Sequence, residues 1–126
     1  METLEQLEDD YWGPPPTETT SVIRRSFELR QKPLDELTPS DLDHMIGQRI
    51  GLEHLIDLAA GTLFNNPLLE AWAYPGDLLR TVVSVDASFW QSHPDQWREI
   101  DFIVREVEKY MVDLREPLER FRLNST

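Results

Sequence analysis

His44, Glu53, His54 and Asp57 form the one cluster in this chain with metal-ligand chemistry. Glu53 and Asp57 stand at i and i+4, so a helix projects both from one face. His54 is rotated about 100° from Glu53 on the same helix, and His44 belongs to the preceding segment. A zinc site takes three or four converging ligands, and no HExxH or equivalent spacing supplies them. Nucleophilic chemistry is no better provided: there is no GxSxG elbow and no glycine-rich phosphate loop, and the three His have no recognisable partner. Carboxylates are abundant, but 24 acids in 126 residues produce close pairs by chance. A glycosidase-type pair needs a cleft between its two acids, and short packed helices leave little room for one. The expectation is a protein with no catalytic site, no metal and no cofactor.

Charge is the more informative property. Lys and Arg number 12 against 24 Asp and Glu, a net charge of −12. That sign disfavours nucleic acid and anionic membranes, which need a basic footprint, and favours a basic protein partner drawn in by long-range attraction. The acidity is concentrated. Residues 1–23 hold six acids and no base, and residues 50–79 hold four acids and no base. Cys is absent, which removes disulfides and thiolate sites and is compatible with a reducing cytosol. The first residues lack the basic and apolar regions of a secretory signal, and no apolar run approaches a membrane span. A cytoplasmic domain is expected.

The elements that would carry these charges are helical. Leu52, Leu55, Ile56, Ala59 and Leu63 keep one face apolar over about three turns, and define a central helix from Leu52 to about Phe64. Thr38-Pro39-Ser40-Asp41 is a strong helix start, followed by an inward stripe of Leu42, Met45 and Ile46 that extends to Ile50. Ile50-Gly51 places a tight turn or a sharp kink between these two helices. Residues 20–31 read as an earlier helix with Val22, Ile23 and Phe27 on one face and Arg24, Arg25 and Arg30 elsewhere, Arg24 and Arg25 paired with internal carboxylates. Pro75-Gly76-Asp77 opens a helix through Val83, and Ser88-Phe89-Trp90 starts a short turn. Trp97, Ile100, Val104, Val107, Met111 and Leu114 recur at heptad spacing, predicting a last helix from about Pro94 to Leu114 that ends at Arg115-Glu116-Pro117. The fold class is all-α, a single-domain bundle of five or six short-to-medium helices. It divides into an N-terminal arm over residues 1–19 with a Pro-rich segment, a helical domain over 20–114 and a tail over 115–126.

Two surfaces suit a partner. Asp41, Asp43, Glu53 and Asp57 are expected on outward faces of adjacent helices, as an acidic patch able to mimic a phosphate backbone. The loop from Glu70 to Asp77 carries Trp72 and Tyr74, large aromatics that either anchor a partner or plug the bundle between two helices.

Four segments carry a family resemblance: LEQLEDDYWGPPP, RRSFELRQKPLDELTPSDLDHMIGQRIGLEHLIDLA, NPLLE and YPGDLLRTVVSV with the following FW. Together they resemble the immunity proteins of bacterial contact-dependent growth inhibition systems, over about residues 2–90. The most specific parts are Gly47-Gln48 to Gly51-Leu52 and Tyr74 to Leu79. Asp57 stands where a proline is common in that family, which should lengthen the central helix, and Ala71-Trp72 departs from the pattern of the following loop. The resemblance implies a cytoplasmic, non-enzymatic protein that neutralises the cognate C-terminal toxin domain of a surface effector, with a nuclease as the expected toxin. Asp41, Asp43, Glu53, Asp57, Glu70, Trp72, Tyr74 and Asp77 are the candidate toxin-binding residues. The competing reading is a non-inhibitory adaptor or chaperone-type module.

Overall fold

The computed structural model describes residues 1–124, and all regular structure among them is helical. The chain runs through α1 (Leu4–Glu8), α2 (Ser21–Arg30), a 3-10 turn (Leu34–Glu36), α3 (Pro39–Gly47), α4 (Leu52–Asn65), α5 (Asp77–Val83), α6 (Ala87–Ser92) and α7 (Pro94–Leu123). The starts are written locally. Thr3, Thr20 and Thr38 each accept a backbone N–H with the side-chain hydroxyl, and Asp41 returns a bond to the Thr38 N–H to close a capping box. The central stripe is core: Leu55, Ile56, Ala59 and Leu63 are buried against Leu42, Met45 and Ile46 of α3, Leu78 and Val82 of α5, and Ile100 and Ile103 of α7. No helix among the described residues is long and apolar enough to cross a membrane.

The turn between α3 and α4 explains why glycine stands at position 51. Gly51 has φ +65, and a Cβ there would lie 2.8 Å from Leu4 Cδ1. The turn thus needs both a left-handed residue and space for a leucine that α1 drives into the core, where Leu4 is fully buried. Arg49 takes the other left-handed position, at φ +60, and its guanidinium donates to the Ser84 carbonyl at the end of α5 at 2.8 Å. Gly51→Ala is expected to destabilise the protein by about 1–3 kcal/mol, combining left-handed strain with a displaced Leu4. Urea unfolding checks this; an unchanged midpoint would mean that α1 contributes nothing to the core.

Three expectations about the helices are corrected. In α2 the inward side chains are Ser26, Leu29 and Arg30, while Val22 and Ile23 are each 45% exposed. Arg30 can point inward because the N-terminal segment brings it an acid, a carbonyl and an aromatic face, which a count of apolar residues does not register. Arg25 does pair with an internal carboxylate, that of Asp41 at 3.0 Å. Of the heptad seam of α7 only Ile100 is buried, because α4 ends at Asn65 and leaves Met111 and Leu114 more than half exposed. Finally, α7 does not stop at Arg115-Glu116-Pro117 but continues through Pro117 to Leu123. Proline removes one helical hydrogen bond and crowds the carbonyl four residues back, which an exposed helix absorbs by bending rather than ending.

Candidate functional site

The loop from Asn66 to Gly76 is built around one buried carboxylate. Asp77, the first residue of α5, is 4% exposed. Its Oδ1 accepts the N–H groups of Ala71 at 2.7 Å and Leu78 at 2.8 Å, and its Oδ2 accepts those of Trp72 at 3.0 Å and Ala73 at 2.9 Å. Burial opposes ionisation, but the backbone bonds from Ala71, Ala73, Trp72 and Leu78 outweigh it and hold the carboxyl well below its usual range. The loop is cross-tied as well. Glu70 and Pro75 form an isolated antiparallel bridge, and the Gly76 N–H donates to the Leu68 and Leu69 carbonyls. At φ +87, Gly76 makes the left-handed turn into α5.

This latch displays Trp72 and Tyr74. Trp72 is 69% exposed, yet its main-chain N–H is held by Asp77 and its indole Nε1 donates to Asp43 Oδ2 at 2.7 Å. Asp43 is fixed in turn by the Thr81 hydroxyl, bound to its other oxygen at 2.5 Å. Arg80 donates to the Tyr74 hydroxyl at 2.9 Å. Beside Trp72 a shallow cleft is lined by Arg25, Ser40, Asp43, His44, Gly47 and Thr81. The Ser26 hydroxyl donates to the Val22 carbonyl, so the His44 Nε2–H is the donor in its 3.0 Å bond to Ser26 Oγ. Burial first, and then the Arg25 charge, lowers the His44 pKa below its usual value.

The eight candidate residues therefore do not form one patch. Asp41 is not outward-facing: it is buried, ion-paired with Arg25 at 3.0 Å and Lys32 at 2.8 Å, and capped by the Thr38 N–H. Burial resists its charge, but the Lys32, Thr38 and Arg25 bonds prevail and bring its pKa down to about 2. Asp77 is likewise internal, because a carboxylate that accepts four backbone bonds has no capacity left for a partner. Asp43 belongs with Trp72 and Tyr74. Glu53 and Asp57 lie elsewhere, in a groove shared with His54, His93, Asp95 and Glu99. There Gln96 donates to the Glu53 carbonyl at 2.8 Å and to Asp57 Oδ1 at 3.0 Å. Glu70 is exposed at the bridge of the loop. Among the described residues no group of three His, Cys, Asp or Glu could hold a metal ion. Asp95 and Glu99 are the acids that the sequence reading missed; their only signal is position, in the first turns of α7 beside the central helix.

The described residues thus form an all-helical bundle that presents a fixed, exposed aromatic loop. Residues 6–100 match the CDI immunity proteins, and the chain belongs to that family. As an immunity protein of contact-dependent growth inhibition, it is not an enzyme and neutralises a cognate toxin. No curated protein and no solved structure matches the chain.

Proposed function

We propose that the cognate toxin is a basic nuclease met in the cytoplasm, and that the chain engages it through Trp72, Tyr74, Asp43 and Glu70. The observation that carries this reading is Trp72, which is 69% exposed but held through its backbone and its indole. A large aromatic that is ordered before binding loses little entropy on association and buries a large area, the profile of an interface hot spot. The net charge of −12 supports a basic partner, and the groove of Glu53, Asp57, Asp95 and Glu99 supplies steering charge beside or away from the contact.

With the purified toxin domain, Trp72→Ala is expected to weaken binding by ten- to a hundredfold, about 1.4–2.8 kcal/mol. The fold survives this change because Asp77 binds the backbone of position 72 rather than its ring. Unchanged affinity would move the interface elsewhere. Replacing Glu53, Asp57 and Glu99 by Lys is expected to slow association about tenfold at low ionic strength, a difference that shrinks toward 0.5 M salt as screening shortens to a few ångströms. Stopped-flow association rates read both effects. A toxin domain that cleaves neither RNA nor DNA would overturn the nuclease assignment.

A further inference from the structure

We propose that the second half of α7 is a self-association helix, which pairs antiparallel with the same helix of a second copy. From Glu108 to Leu123 every residue is exposed, and none contributes to the core. A lone helix of this length is marginal in water, and Pro117 inside it removes a hydrogen bond. The apolar stripe nevertheless continues without a break. Val104, Val107, Met111, Leu114, Leu118 and Phe121 follow each other at alternating steps of three and four residues, which is a coiled-coil seam. The family match stops at residue 100, short of this segment.

Charge identifies the occupant. Residues 105–123 hold five bases and five acids, whereas the preceding residues carry the entire −12. A basic partner gains nothing from a neutral helix, while a second copy meets no repulsion there. The seam also selects its own register. Antiparallel pairing centred between Met111 and Leu114 stacks Met111 on Leu114, Val107 on Leu118 and Val104 on Phe121 of the other copy, each layer occurring twice by symmetry. The flanking positions on one side are Asp101, Glu108, Arg115 and Arg122. In that register Glu108 faces Arg115 of the other copy, Asp101 faces Arg122, and no like charges meet. The other flank carries Ile103, Tyr110, Pro117 and Asn124, none of them charged, so a parallel pair would lack these ion pairs. It would also set two acidic bodies side by side, whereas the antiparallel pair holds them at opposite ends.

The body offers a seat for the tip of the incoming helix. Val83, Trp90, Trp97, Ile100, Asp101 and Val104 line a cleft at the point where Phe121 of the second copy arrives. Six layers over about five turns bury roughly 1,000–1,200 Å² in total, the lower end of specific interfaces. A dimer of micromolar strength is therefore expected.

Sedimentation velocity of the full chain tests this, from low micromolar to sub-millimolar concentration and without toxin. The mass should rise from monomer to dimer across that range. Leu114→Asp with Leu118→Asp should remain monomeric throughout, with the thermal unfolding of the body unchanged, since these side chains touch none of it. Glu108→Arg should weaken the dimer about tenfold, by breaking two symmetry-related pairs and creating repulsion. Adding Arg115→Glu in the same chain should restore it. Within one helix these two positions are seven residues apart, too far to pair, so restoration reports contact between copies. A chain that is monomeric throughout, a dimer that survives the double aspartate variant, or a charge swap that fails to restore pairing would each overturn the proposal. A monomer whose double aspartate variant loses toxin binding would assign the helix to the toxin instead. Because the assay contains no toxin, its failure leaves the Trp72 reading standing.

Discussion

Asp77→Ala is expected to destabilise the protein by about 3–4 kcal/mol and to lower toxin affinity at least as far as Trp72→Ala. Each bond from a backbone N–H to an ionised carboxylate contributes about 1.5–3 kcal/mol, and Asp77 accepts four. The total falls short of four such bonds because the loop lies at the surface, where water reaches the released N–H groups once it opens. Asp77→Asn keeps the size but replaces one acceptor oxygen by a donor facing N–H groups, so it should recover little. Urea unfolding reads the stability and calorimetric titration with toxin reads the affinity. A loss under about 1 kcal/mol would mean that the loop keeps its shape without the carboxylate.

The same residue sets an acid limit. The folded-state pKa of Asp77 lies below the ordinary value of 3.8, and that of Asp41 falls from 3.8 to about 2. Groups depressed in the folded state contribute their full stability above the unfolded pKa, and lose it as pH falls through the folded one. Stability should therefore be flat with respect to these two groups above about pH 5 and decline from pH 4 downward. Asp77→Asn should flatten that decline, because one of the two coupled protonations is gone.

The helical scaffold was legible because its signals are local. Thr38-Pro39-Ser40-Asp41 caps its own helix, the stripe from Leu52 to Leu63 needs only a period of 3.6, and Gly51 marks a turn whatever surrounds it. The functional surface depends on pairs far apart in sequence. Whether Trp72 plugs the bundle or faces solvent is decided by Asp43 and Thr81, which stand 29 and 38 residues from their bonding partners. No periodicity encodes that. Asp41 and Asp77 were misplaced for one reason: at a helix start, a charged residue reads equally as solvated or as the acceptor of neighbouring N–H groups. Only the donors show which. The length of α7 was missed because proline is a local stop signal, and local signals do not report a helix that leaves the body of the protein.

Arg30→Ala should be comparably damaging, at about 3–5 kcal/mol, for a reason opposite to that of Asp77. Arg30 is 2% exposed, a cation inside a bundle, and its cost is met by the N-terminal segment. Its guanidinium donates to Glu8 and to the Asp10 carbonyl, and lies 4.3 Å from the centre of the Trp12 ring. Trp12 in turn packs edge-on against Phe27 with ring centres 5.0 Å apart, while its main-chain N–H donates to Glu5 and its indole N–H to Asp10. Removing the guanidinium leaves a cavity and deprives Glu8 and Asp10 of their cation, so residues 9–16 should detach from α2. Limited proteolysis would read that release as faster cleavage in this segment, together with a lower urea midpoint. Arg30→Met separates packing from charge. The Nε of Arg30 is buried without a partner, so the native site already carries an unsatisfied donor that methionine removes. If apolar fill is what the site needs, Arg30→Met should recover more than half of the loss. If the guanidinium bonds hold the segment in place, Met and Ala will be equally cleavable. The second result is the one expected, because the carbonyl of Asp10 and the carboxylate of Glu8 accept from donors that methionine lacks.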